Sequence, residues 1–149
     1  MADHVKRGRS GPAGMRGITL VEMMVTLAVV AILASIAYPL YTSHVQQSRR
    51  GDAWQALTAA QSQMEQCYAQ YFAYNNAACT VSASSPGGYY QVQVSSATTA
   101  SGYVLTATPA AGGLQAADTT CSSFNVSNSG LRSAANAQGS DTSSTCWPH

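Results

Sequence analysis

Residues 17–38 read GITLVEMMVTLAVVAILASIAY, and this stretch decides the architecture. From Ile18 to Tyr38 the only charged side chain is Glu22. About twenty apolar residues at ~1.5 Å per residue are enough to cross a bilayer as a helix. Lys6, Arg7, Arg9 and Arg16 all lie before this run. The positive-inside rule therefore keeps residues 1–17 in the cytoplasm and sends the rest of the chain outward. A secretory signal would have a shorter apolar core, ~7–15 residues, followed by a small-residue cleavage site. Ala37-Tyr38-Pro39-Leu40 is a poor site of that kind, and no lipobox cysteine follows. A plain N-terminal anchor is the simplest alternative.

Glu22 argues for something more specific. An acid at membrane depth is costly and is a functional hypothesis by default. Cleavage after Gly17 would create an α-amino group at Ile18, about one helical turn from Glu22. Such an amine titrates near ~7.7–8.0, so it is mostly cationic at neutral pH. It could neutralise Glu22 in the same chain or in an adjacent one. The string Arg16-Gly17-Ile18-Thr19-Leu20-Val21-Glu22 places a small residue between a basic leader and an apolar helix.

These residues closely resemble the class III signal of type IV pilins and pseudopilins. The resemblance implies that prepilin peptidase cleaves after Gly17 and methylates Ile18. It also makes Glu22 the fifth-position glutamate used in assembly. The family prefers Phe where this chain has Ile18. Pro39 matches a proline common in pilins and is expected to kink or locally break the helix, since it lacks a backbone N–H. Other implied partners are further pilin subunits and an inner-membrane pilus assembly platform. The implied location is the inner membrane before assembly, with the head periplasmic, and the pilus surface afterwards.

The remainder of the chain fits that plan. With 149 residues there is room for one ordinary domain. Charged residues make up 9% of the chain, against ~25% in typical soluble domains. After Gly17 the charges are Arg49, Arg50 and Arg132 against Glu22, Asp52, Glu65, Asp118 and Asp141, so the exported part is slightly acidic. Helix formers dominate from Pro39 to about Tyr74, which predicts one helix of about 80 Å ending near Asn75-Asn76. Ala53, Leu57, Ala60, Met64, Cys67 and Tyr71 recur at helical spacing, with Trp54, Tyr68 and Phe72 beside them. This stripe is read as a face packed on a small domain rather than as an aromatic ligand platform.

Three or four antiparallel strands are expected beyond the helix. Residues 89–94, 103–108 and 122–127 alternate apolar and polar, and a short fourth strand lies near Leu131-Arg132-Ser133 after the turn Asn128-Ser129-Gly130. Residues 134–145 read as a loose polar loop. The expected fold class is α+β, the pilin fold. Its parts are a leader over 1–17, a membrane and filament-core half of the helix over 18–41, an amphipathic half over 42–76, and an antiparallel β-rich head over 77–149.

Cys67, Cys79, Cys121 and Cys146 form no CxxC motif. Their spacing argues against zinc, and an even count in an exported domain points to disulfides. Four cysteines allow three connectivities. The expected pairs are Cys67–Cys79, pinning the loop after the helix, and Cys121–Cys146, closing the C-terminal loop. The second resembles pilins, whose C-terminal variable loop is often bounded by a disulfide. Asp118-Thr119-Thr120-Cys121, the Asn128–Arg132 segment and Cys146-Trp147 resemble minor pilins of the PilE type and the related ComP group.

No catalytic site, metal site or cofactor is expected. His4, His44 and His149 are scattered, and no nucleophile motif is present. Asp118 and Asp141 are read as turn residues rather than calcium ligands. The expected function is that of a minor pilin. One alternative is a ComP-like DNA-uptake receptor, for which the head offers little positive charge, with Arg132 the single basic side chain after Tyr74. A second alternative is a type II secretion pseudopilin.

Overall fold

The computed structural model describes residues 17–148. The basic leader residues, His4 and His149 lie outside the described residues. The elements in chain order are α1 (Leu20–Tyr71), β1 (Tyr90–Val94), β2 (Val104–Pro109), β3 (Ser123–Ser127), β4 (Arg132–Ala135) and α2 (Ser143–Cys146). The chain divides at Pro39 into an N-terminal unit and a unit covering Leu40–His149.

In the N-terminal unit the helix carries apolar side chains that no other described residue covers. Ile18, Leu20, Leu27, Ile32 and Leu33 are each more than 60% exposed. Thr26 and Ser35 donate their hydroxyls to the carbonyls of Met23 (2.9 Å) and Ile32 (2.7 Å). Their polarity is thus satisfied within the helix, as a hydrocarbon environment requires.

The unit from Leu40 onward has its own core. Its sheet has the order β1-β2-β3-β4, all neighbours antiparallel. Alternation sets which face is buried. Tyr90 and Val92, Leu105 and Ala107, Phe124 and Val126, and Ala134 point inward, while the polar residues between them stay at the surface. The register places Leu105 opposite Val126 and Ala107 opposite Phe124. Ala53, Ala56, Leu57, Ala60 and Met64 of α1 join the same core. Full burial of residues such as Leu57 and Phe124 stabilises by roughly 1.5–3 kcal/mol each.

Two carboxylates tie loops to this core. Asp52 on α1 accepts from the Ser85 hydroxyl and from the backbone N–H groups of Gly87 (2.8 Å) and Tyr89 (3.3 Å). A Cβ on Gly87 would lie 3.0 Å from the Asp52 carboxylate and from the Tyr89 ring, so a larger residue there would have to displace both side chains. Glu65 accepts from the hydroxyls of Tyr74 (2.9 Å) and Tyr103 (2.9 Å), joining the helix to the following loop and to the start of β2. Disulfides link Cys67 to Cys79 and Cys121 to Cys146.

Helix α1 runs on through Pro39 without a local break. The structure departs from the sequence-based expectation at three places. Helix α1 ends at Tyr71, earlier than Asn75-Asn76, because Phe72 turns to left-handed backbone with φ 53°. Tyr71 and Phe72 consequently leave the packed stripe, and Tyr74 takes the buried place instead. Residues 134–145 are not wholly loop. β4 extends to Ala135, and α2 begins at Ser143, where Asp141 accepts from both the N–H and the hydroxyl of Ser143.

Candidate functional site: the helix start and the charged groups of the head

The motif residues form an ordered helix entry. Gly17, Ile18 and Thr19 precede the first helical residue, Leu20. The Glu22 N–H donates to Thr19 Oγ1 at 3.2 Å. Thr19-Leu20-Val21-Glu22 therefore has the sequence spacing of a capping box and forms its first half, the Thr19 hydroxyl accepting from the Glu22 N–H. Sequence reading assigned Glu22 a charge role and missed Thr19, although the Thr-x-x-Glu spacing was legible. A carboxylate in the first turn also complements the helix dipole. Glu22 thus favours its own helix start as well as being available to an outside cation. No cationic side chain is recorded within ion-pair distance of it among the described residues.

Pro39 lies near the end of the exposed apolar stretch. Tyr38 and Tyr41 flank it, both mostly exposed. Such rings suit the interface between hydrocarbon and water.

In the head, Arg50 forms a bidentate pair with Asp118, through Nε to Oδ2 at 2.7 Å and Nη2 to Oδ1 at 3.0 Å. Asp118 also accepts from the Gln115 amide and from the N–H groups of Thr120 and Cys121. Burial alone would raise the Asp118 pKa. The bonds and charge of Arg50, followed by the two N–H groups, outweigh it and hold the carboxyl below its usual range. Asp118 is thus a structural anchor and is saturated by these partners. Asp141 is held low by its bonds from Ser143. No cluster of metal-ligating side chains occurs among the described residues.

Two other arginines stack on aromatic rings. The Arg49 guanidinium lies 5.1 Å from the Tyr89 ring centre, and that of Arg132 lies 5.2 Å from the Trp147 ring centre. Trp147 in turn stacks on Trp54 and donates its indole N–H to the Ser133 carbonyl.

Comparison with known proteins gives three findings. A family model described as type IV minor pilin ComP, DNA uptake sequence receptor, matches residues 39–125, more than half the chain. A model of the prokaryotic N-terminal methylation motif matches residues 13–38. Among solved structures, the non-core minor pilin PilV of Neisseria meningitidis superposes with a TM-score of 0.53 at 21% identity, covering 66% of this chain and 94% of that one. That likeness speaks to the fold. None of the curated proteins compared matches the chain.

Proposed function

The chain belongs to the type IV minor pilin ComP family, and on that premise we propose how it is processed and assembled. The precursor inserts with residues 1–17 in the cytoplasm. Prepilin peptidase cuts between Gly17 and Ile18 and methylates the new amine. The mature subunit rests in the inner membrane with its head in the periplasm. The assembly platform then moves it into a pilus, where other pilin subunits cover the apolar surface of residues 18–40. The protein acts by assembly, not catalysis.

The observation that carries this reading is the helix entry. A glycine, a capped helix start and a first-turn glutamate stand in that order, inside the methylation-motif match, at the head of an uncovered apolar helix. Glu22 would pair with the methylated amine of a neighbouring subunit. The pair would neutralise two charges that are each costly in an apolar bundle.

Paired substitutions separate the charge from the cap. Glu22→Gln keeps the capping-box residue type but removes the charge. Thr19→Ala removes the cap and keeps the charge, at about 1 kcal/mol of helix stability. Both variants should insert in the membrane. Glu22→Gln is expected to be strongly depleted from sheared pili, and Thr19→Ala only mildly. Normal entry of Glu22→Gln subunits into pili would remove the charge-pairing role.

A second reading, DNA-uptake reception, is favoured by the description of the matching family. Arg49 with Tyr89 and Arg132 with Trp147 are the cation–ring pairs available to it, because Arg50 is committed to Asp118. Two phosphate contacts would give a log–log salt slope of only about −2. A gel-shift titration of salt with duplex DNA tests this, and a much steeper slope would place other cations at the contact.

A further inference from the structure

The aromatic end of α1 is not fully packed away. Tyr71 is 46% exposed and Phe72 is 77% exposed. Phe72 also holds left-handed backbone, which bulky residues seldom adopt. Next to Tyr71 runs a groove of about 310 Å³, lined by Gln63, Gln66, Gln70, Tyr71, Thr80 and the disulfide-bonded Cys67. Its size is at the small end of the usual ligand range, roughly 300–1,000 Å³.

The lining is fixed where it needs to be and open elsewhere. The Cys67–Cys79 bond ties its two sides together. Gln63 is locked by two bonds across the groove, its amide donating to Ser82 Oγ (3.1 Å) and its carbonyl accepting from the Ser82 N–H (3.0 Å). Gln66 spends only its amide nitrogen, on Ser62. The exposed Gln70 side chain has no hydrogen-bond partner among the described residues.

No charged side chain lines the groove. Glu65, the nearest acid on the helix, is engaged by Tyr74 and Tyr103. A phosphate or carboxylate would find no cation here, and a metal ion no carboxylate. An apolar ligand would strip water from the amides without replacing it. A side-chain amide presents an acceptor and two donors side by side. That matches neighbouring hydroxyls, each both donor and acceptor. The exposed face of Tyr71 matches the C–H face of a sugar ring.

We propose that this groove binds a neutral saccharide of one or two rings, with Gln66 and Gln70 hydrogen-bonding its hydroxyls and Tyr71 stacking on a ring. The site is independent of the assembly reading. It is tested on the full-length protein in a zwitterionic detergent, because glycosidic detergents would compete. Saturation-transfer NMR is run against a panel of neutral hexose and N-acetylhexosamine mono- and disaccharides, with glucuronic acid as the acidic comparison, at millimolar concentration. At least one sugar should bind, and Gln70→Ala and Tyr71→Ala should each weaken it at least tenfold, while Leu114→Ala, exposed and outside the groove, leaves it unchanged. Gln70 has no internal partner, so its removal should not disturb folding. Silence from the whole panel, preference for an acidic sugar, or wild-type binding by both groove variants would each overturn the proposal.

Discussion

At the scale of single residues, Asp118 carries more of the head than its exposed neighbours do. Asp118→Ala would leave the Arg50 guanidinium without its two bonds and free the N–H groups of Thr120 and Cys121. Breaking such a buried pair costs about 3–5 kcal/mol, read as a lower melting temperature of the oxidised protein. The pH dependence has a fixed sign. Since the folded Asp118 pKa is depressed, its contribution is complete above the ordinary carboxylate pKa of ~3.9 and is lost as pH falls through the folded value. Tyr90 behaves oppositely, being pushed up to about 12, chiefly by burial. Its contribution is complete below pH ~10 and is lost as pH rises toward the folded pKa. Melting against pH should therefore show a plateau between, with the acid-side loss reduced in Asp118→Asn. A slope across the neutral range would contradict this assignment. Residues of this kind are hard to read from sequence. Arg50 and Asp118 lie 68 positions apart, and no local pattern joins them. The Gly17–Glu22 motif was legible because glycine and acid fall within six residues at the start of a long apolar run.

At the scale of elements, alternation and turn chemistry made the four strands readable, and their edges moved by only a residue or two. Asn128-Ser129-Gly130 is the β3–β4 turn, with Gly130 at φ 80°. Two features depended on tertiary context. The helix stops at Tyr71 although the following residues are not strong breakers, and the Cys67–Cys79 bond and the Glu65–Tyr74 contact hold the chain after it. Relief of left-handed strain at Phe72 is of order 1 kcal/mol. It is opposed by loss of the Tyr68–Phe72 edge contact, about 0.5–1 kcal/mol. Phe72→Gly should thus leave thermal stability within about 1 kcal/mol of wild type. A large loss would mean that the ring is structural. The other feature is α2, whose Ser-Ser-Thr-Cys sequence has weak helix propensity. Asp141 starts it, and the bond to Cys121 holds its end. Replacing both Cys121 and Cys146 with Ser removes a link across a sequence separation of 25. The expected loss in denaturant titration is about 3 kcal/mol, and an unchanged midpoint would show that the link is dispensable.

At the scale of the whole molecule, one chain combines two kinds of surface. The unit from Leu40 onward buries Leu57, Met64, Tyr90, Leu105 and Phe124 in a core of its own. The N-terminal unit leaves residues such as Ile18, Leu20, Leu27 and Leu33 more than 60% exposed. An apolar surface of that extent needs lipid or other helices to cover it. The helix is long and apolar enough to cross a membrane, and under the proposed function membrane and then filament would supply these covers in turn. The central claim is the conversion of a membrane precursor into a pilus subunit. Mass spectrometry of sheared pili and of membranes from the same cells tests it most directly. The expected result is an N-terminal peptide beginning at methylated Ile18 in both fractions, at low stoichiometry in the pili. A chain still beginning upstream of Gly17, or one cut near Pro39 and absent from pili, would contradict the account.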